Sequence, residues 1–338
     1  MQSKLVTRAY NRFEQDTTRG TLIKFSKDEK LRREAEYYIN LPEDLKIFFP
    51  RLVSNGFDLN TQEFFLELEQ YPYGNLGAVL FGNSDGLVRK RSELIACHLK
   101  KTFELFLEKK PTFTCFDDLK KMYVDKTERE QKNLVDNFQF FNAFSKHKLV
   151  TINGIEYENF HIIWPKIIKK YYGLLATKPL YSVIHGDCCF SNILFGGYIN
   201  GPFHDNPDDN LVILKFIDPR GEFGQHRVHG DFYYDLAKLY HSTNTGYELI
   251  IGDQFDEVKS VASDNIDFSF PEYLIDTKNQ VHAAFMKEIY NGFDLTKIKL
   301  LEATIYIGMC ARHYDSLKRQ KIMYASGIKL LNEVYYGV

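Results

Sequence analysis

The chain has 338 residues, 44% of them hydrophobic, enough to bury the core of one large domain or two ordinary ones. Its 43 Lys and Arg nearly balance 45 Asp and Glu, so a net charge of −2 supplies no general field for nucleic acid or an anionic membrane surface, and neither is expected as a partner. No run approaches the roughly twenty apolar residues of a membrane span, the opening MQSKLVTRAYNRFEQD lacks the apolar stretch of a secretory signal, and the five cysteines contain no C-x-x-C pair, so a cytoplasmic protein with reduced thiols is expected.

The first elements make a small mixed unit. TLIKFS (residues 21–26) follows the turn signal Arg19-Gly20 and is rich in strand formers. SKDEKLRREAEYYINLP predicts a helix, with apolar residues at Leu31, Ala35 and Tyr38 and Pro42 closing it. FFPRLVSNGF predicts a strand from Pro50 to a turn at Asn55-Gly56, and EFFLELEQY a further strand. The stretch YPYGNLGAVLFGNSDG holds four of the 21 glycines, a change of regime that places a boundary between an N-terminal unit, 1–72, and a C-terminal unit, 73–338. Long charged helical patterns occupy 87–109 and 116–146, VTINGIEY predicts a hairpin around Asn153-Gly154, and a helix over 160–175 precedes the strand YSVI. The last sixty residues or so return to helices, KIKLLEATIYIGMCARHY being the clearest.

Between YSVI and those helices lies HGDCCFSNILF (185–195). NILF and LVILKFI (211–217) read as strands joined by the polar, turn-rich GGYINGPFHDNPDDN, and they predict a long hairpin. In an antiparallel pair the start of one strand lies beside the end of the next, so Asn192 and Asp218 share one end, with Asp187 on the loop just before. An amide oxygen and two carboxylates gathered there suit Mg²⁺, a hard cation held by one or two protein groups plus substrate phosphates. A zinc site made from His185, Cys188 and Cys189 lacks a fourth ligand at a sensible spacing.

HGDCCFSN and IDPRG resemble the H-G-D-x-x-x-x-N and I-D-x-x-G motifs of the aminoglycoside phosphotransferase and choline kinase group. The resemblance implies an α+β, two-lobed protein-kinase-like fold, with a small mixed N-lobe and a large, mainly helical C-lobe carrying a catalytic β-hairpin. It implies a kinase dependent on ATP, or GTP, and Mg²⁺, with Asp187 accepting a hydrogen bond from the acceptor hydroxyl and Asn192 and Asp218 holding the metal. Lys24 then contacts the α/β-phosphates, and Glu36, preferred over Glu34 for its distance to Pro50, is its ion-pair partner. Backbone groups near Glu69 to Tyr71 read the adenine edge. His185 is structural, Asp231 or Asp235 buttresses the catalytic loop, and Arg220 touches the substrate, the transferred phosphate or an acid of the loop. One element departs from the pattern: AYNRFEQDTTRG offers only Gly20 and few residues for a first strand, leaving Asn11 or Arg12 to supply contacts to the phosphates.

The implied acceptor is a small-molecule hydroxyl on a sugar, polyol or amino alcohol. IDPRG and GDFYYDLAKL look most like kinases associated with bacterial surface polysaccharide assembly. The rival from another class is a catalytically silent pseudokinase that binds nucleotide or a partner. A protein kinase is disfavoured because only about a dozen residues separate IDPRG from GDFYYDL, little room for an activation loop.

Overall fold

The computed structural model describes residues 11–82, 86–112, 116–197 and 211–337. Most of the predicted hairpin loop after Phe195 therefore lies outside the described residues, as does Cys115.

The N-terminal region is a curled sheet backed by one helix. Strands β1 (Asn11–Asp16) and β2 (Thr21–Ser26) form a hairpin in which Asp16 pairs with Thr21. The Asp16 carboxylate accepts hydrogen bonds from the amides of Thr18 and Arg19, both at 3.0 Å, so an Asx-type turn closes this hairpin where a glycine-rich loop is usual. The first strand, expected to have little room, is six residues long. Helix α1 (Lys30–Asn40) follows, burying Leu31, Glu34, Ala35, Tyr37 and Tyr38, and a 3₁₀ turn (Glu43–Phe48) leads into β3 (Leu52–Asp58) and β4 (Glu63–Glu69). The predicted turn at Asn55-Gly56 is absent: β3 runs straight through it, and the chain reverses after Asp58. Glycine is needed at position 56 because the Phe65 ring from β4 lies across it, 2.9 Å from where a Cβ would stand. The strand order is β1-β2-β4-β3, antiparallel throughout, with α1 packed on β3 and β4.

The rest is mainly helical. A short strand β5 (Gly74–Asn75) and α2 (Leu76–Phe81) lead into the long α3 (Val88–Glu108). Helix α4 (Phe116–Lys120) passes through a π-helical turn (Lys121–Asp125) into α5 (Lys126–Asn137), followed by α6 (Gln139–Phe144). Strands β6 (Leu149–Ile152) and β7 (Ile155–Glu158) form the hairpin predicted at Asn153-Gly154, whose φ angles of 49° and 77° are those of a type I′ turn. Then come α7 (Phe160–Ala176), β8 (Tyr181–Val183), β9 (Ile193–Gly197), β10 (Val212–Phe216), β11 (His229–Asp231) and α8 (Phe232–Thr243). The chain continues through α9 (Tyr247–Ile251), β12 (Glu257–Lys259), β13 (Asn265–Ser269), α10 (Glu272–Glu288), α11 (Leu295–Met309) and α12 (Leu317–Tyr336). Helix α11 is apolar nearly all round and sits centrally, packed on α8 and α12. None of the described helices is long and apolar enough to cross a membrane.

Two contacts hold the sheet region to the base of the β9–β10 hairpin. The Phe49 ring lies against Phe106, Phe216 and His185, at centroid distances of 6.1, 5.7 and 6.2 Å. Lys215 on β10 donates to the carbonyls of Ile47 and Phe49, at 2.7 and 3.2 Å, satisfying groups that the end of the 3₁₀ turn leaves open.

Candidate active site

Strands β9 and β10 pair with Ile193 opposite Phe216, and the next bond runs from the Ile217 amide to the Asn192 carbonyl at 2.9 Å. Asp218 is thus one residue past the pairing, at the same end as Asn192. It adopts a left-handed backbone (φ 55°), and its carboxylate is about half exposed. Asn192 donates through Nδ2 to the Asp187 carbonyl at 2.9 Å, tying the loop to the strand.

The loop itself is held from below. Buried Asp235 accepts the amides of His185 and Gly186, at 2.6 and 2.7 Å, and the Arg220 amide donates to the His185 carbonyl at 2.9 Å. His185 donates from Nε2 to the Ile217 carbonyl (2.9 Å), which leaves Nδ1 to accept the Asp187 amide (3.3 Å). Burial pushes its pKa down to about 4, so it is a neutral strut between the two halves of the site. Asp231 works one layer deeper: it accepts from the Leu180 amide, the Tyr123 hydroxyl and Lys297 Nζ, at 2.8, 3.0 and 2.7 Å. The pair of acids offered as buttress therefore divides, Asp235 serving the loop and Asp231 the framework beneath it. Cys188 and Cys189 are buried, and burial raises both thiols well above their ordinary range, so neither is a thiolate. Among the described residues no three His, Cys, Asp or Glu side chains gather as metal ligands.

On the opposite wall Lys24 of β2 reaches Glu34 at 2.7 Å and Asp218 at 2.6 Å. Burial opposes its charge, but the two carboxylates outweigh burial and hold its pKa above the usual lysine value. The expected partner Glu36 is corrected to Glu34. Glu34 lies on the buried face of α1, whereas Glu36 is turned toward Arg32 and Arg227, at 2.9 and 2.6 Å. Burial raises Glu34 to about 7 against the pull of Lys24.

Asn192 donates one amide hydrogen to the Asp187 carbonyl and Asp218 gives Oδ1 to Lys24, while Asn192 Oδ1 and Asp218 Oδ2 have no hydrogen-bond partner among the described residues. Two hard oxygens from adjacent positions are thus open for a cation that retains several waters, as Mg²⁺ does.

Where adenine recognition was expected, the Glu69 amide already donates to Arg51 and the Gln70 amide to Gly20. The Tyr71 amide is the first in that segment without a partner among the described residues, and the Tyr71 hydroxyl donates to Glu69 at 3.1 Å. Arg12 is turned to Glu63 and lies over the Phe25 ring, away from the hairpin tip, and Asn11 opens β1 opposite Ser26.

Sequence reasoning missed Lys238, whose ammonium pairs with Asp187 at 2.8 Å. The signal was present: a lysine inside the otherwise apolar FYYDLAKLY has to find a buried partner. Burial disfavours ionisation of Asp187, but Lys238 outweighs it and holds the carboxyl well below the usual range.

No family model and no curated protein matches the sequence. Solved structures do resemble the fold. A thermostable mutant of aminoglycoside phosphotransferase APH(4)-Ia in its apo form superposes with a TM-score of 0.54 at 8% identity, covering 98% of this chain and 93% of that one. The GDP complex of wild-type aminoglycoside 2'-phosphotransferase-IIIa gives 0.49 at 13%, over 98% and 91%, and an ethanolamine kinase from Plasmodium vivax gives 0.46 at 12%, over 97% and 83%. The first of these fixes the architecture: the chain has the two-lobed, protein-kinase-like fold of the aminoglycoside phosphotransferases.

Proposed function

We propose that this chain is an ATP- and Mg²⁺-dependent phosphotransferase that moves the γ-phosphate to a hydroxyl of a small molecule. The observation that carries the reading is the convergence of Asp187, Asn192, Asp218 and Lys24 at one end of the β9–β10 hairpin. Residues 1–72 supply the nucleotide wall and 73–338 the loop and acceptor side. The Tyr71 amide takes the adenine edge, and Lys24, oriented by Glu34, takes the α/β-phosphates. Asn192 and Asp218 would hold Mg²⁺ through their open oxygens, and the ion would supply charge neutralisation to the phosphates.

In the reaction the acceptor oxygen bonds to the γ-phosphorus as the bond from that phosphorus to the bridging oxygen breaks, its electrons leaving with ADP. Even a carboxylate of ordinary pKa, near 4, cannot strip a hydroxyl whose pKa is about that of water, 15.7, in the ground state, and Asp187 is held lower still. Asp187 therefore orients the hydroxyl and takes its proton late, as the new bond forms, then passes it to solvent. The acceptor class is a sugar, polyol or amino alcohol, and assembly of a surface polysaccharide is one setting for such a product.

The test is ADP formation from Mg·ATP, and from Mg·GTP, across a panel of such acceptors, with Asp187→Asn alongside. Loss of a general base of this kind lowers turnover by about 10²- to 10⁴-fold, while nucleotide binding persists. Acceptor-dependent ADP that survives unchanged in the variant removes Asp187 from the mechanism. If both proteins bind nucleotide and nothing turns over, the chain is a pseudokinase.

A further inference from the structure

Of the cations gathered around Tyr234, beside the Asp187 loop, two have no carboxylate partner among the described residues. Arg220 follows the metal acid in IDPRG and lies across Gly186, which has a positive φ of 80° and no room for a side chain: a Cβ there would stand 2.7 Å from the Arg220 Cβ. The guanidinium reaches over α8, with Nη1 3.1 Å from the Tyr234 hydroxyl and its carbon 5.8 Å from the Tyr234 ring centre. Its Nε is buried without a hydrogen-bond partner. From another direction the Lys126 ammonium lies 6.0 Å from the same ring. Lys126 is the first residue of α5, placed there by the π-helical turn, a local departure from α geometry that is common at functional sites. Neither Arg220 nor Lys126 has a carboxylate partner among the described residues, and the third cation of the group, Lys238, is already spent on Asp187.

The field this creates is visible in the groups it surrounds. Burial lowers Lys126 to about 8, with Arg220 and Lys238 adding to the effect. Burial alone would raise Tyr234, yet Lys126, Arg220 and Lys238 bring it down to about 8. Two half-buried cations held together without an anion destabilise the empty site, and a bound anion relieves both.

We propose that Arg220 and Lys126, bridged by Tyr234, form an anion subsite for the acceptor, so that the phosphorylated hydroxyl belongs to a molecule that also carries an acid group. This rests on the phosphotransferase reading above and narrows its substrate class: sugar acids, hydroxy acids or sugar phosphates, and not the polycationic acceptors of aminoglycoside chemistry. Carboxylate and phosphate share the recognition, since a guanidinium and an ammonium bind either.

Acceptors that share a carbon skeleton and differ in whether they carry an acid group test this: glycerol, glycerate and glycerol phosphate in one series, and galactose, galacturonate and galactose 1-phosphate in another. The full chain is assayed with Mg·ATP. The expected result is that an acid form in at least one series has a kcat/KM tenfold or more above its neutral parent, and the preferred acid separates carboxylate from phosphate. Arg220→Met and Lys126→Met should raise the acceptor KM by about ten- to a hundredfold, the range of a lost hydrogen bond to a charged group. Nucleotide affinity, measured by calorimetry without acceptor, should hold within twofold. Arg220→Lys keeps the charge and should recover most of the preference, which a purely structural arginine would not allow.

Neutral parents turned over as well as the acids would overturn the subsite while leaving the kinase intact. A nucleotide affinity that falls with the acceptor KM would assign the cations to the γ-phosphate and also overturn it. No ADP from any acceptor in either series, with nucleotide still bound, would overturn the phosphotransferase reading itself.

Discussion

Asp187 and Lys238 form an ion pair at 2.8 Å, and in the proposed reaction the lysine would set the pH range over which the carboxylate is available. Because Lys238 holds Asp187 well below the ordinary carboxylate value of about 4, Asp187 stays ionised at every pH at which turnover is normally measured. Its depressed pKa also makes it one of the groups whose contribution to stability is present above the unfolded value and is lost as pH falls through the folded one. His185 and His241, which also act on it, are buried and held neutral, so they do not replace the lysine's charge. In Lys238→Met the largest influence favouring the ionised carboxyl is gone, and burial together with the neighbouring Asp235 and Asp218 carboxylates raises its pKa. The acid limb of kcat against pH should therefore move upward in the variant, while any loss at pH 8 reports the lost orientation of Asp187. Superimposable acid limbs in the two proteins would show that the lysine does not tune the reactive carboxylate. Of these residues the motif made Asp187 legible, because its spacing to Asn192 and Asp218 is local or set by one hairpin register. Lys238 lies 51 residues away, and its position beside Asp187 follows from how α8 packs under the loop.

At the scale of elements, helix α1 decides which acid serves Lys24. Leu31, Glu34, Ala35 and Tyr38 recur at i, i+3, i+4 and i+7, so Glu34 belongs to the stripe that packs toward the sheet and Glu36 lies about 100° off it per residue step beyond Ala35. That periodicity was readable in the sequence and selects Glu34; the distance to Pro50 does not measure a helix face. Glu34→Gln should weaken nucleotide binding, seen as a higher KM for Mg·ATP, while Glu36→Gln breaks only the contacts with Arg32 and Arg227 and should change that KM by less than about twofold, in keeping with the small worth of exposed ion pairs. Equal effects of the two substitutions would refute the assignment. The Asn55-Gly56 signal failed for a related reason: a dipeptide that favours turns was there because a neighbouring strand's Phe65 ring needs the space.

Deeper in the same framework, Asp231 joins the residue before β8, the π-helical turn before α5, and α11 through bonds to Leu180, Tyr123 and Lys297. The Asp231–Lys297 pair is almost completely buried. Asp231→Asn leaves Lys297 without a carboxylate, held only by the Lys178 carbonyl and the Tyr233 ring, and the expected loss is about 3–5 kcal/mol, the usual cost of breaking a buried pair from one side. Adding Lys297→Met should return part of that loss, because the orphaned charge is then gone. Denaturant unfolding of the single and double variants checks both, and a double variant less stable than the sum of the singles would contradict the argument.

For the whole molecule, the ion pair between Lys24 of the sheet and Asp218 of the hairpin spans the cleft, just as Phe49 and Lys215 join the two regions at its base. A nucleotide placed between these walls binds only when both are folded, so its binding free energy adds to the stability of the assembled pair. At a hundred times its Kd, Mg·ADP should stabilise the folded chain by about 2.7 kcal/mol, read as a rise in Tm that grows with ligand concentration. In Asp218→Asn the open carboxylate oxygen is lost while the Lys24 wall stays in place. The Tm rise from ADP alone should then survive in that variant, and the extra rise on adding Mg²⁺ should disappear. A Mg²⁺ increment of full size in Asp218→Asn would show that the metal is held elsewhere, and the hairpin end would then have to be reassigned from metal binding to closure of the cleft through Lys24.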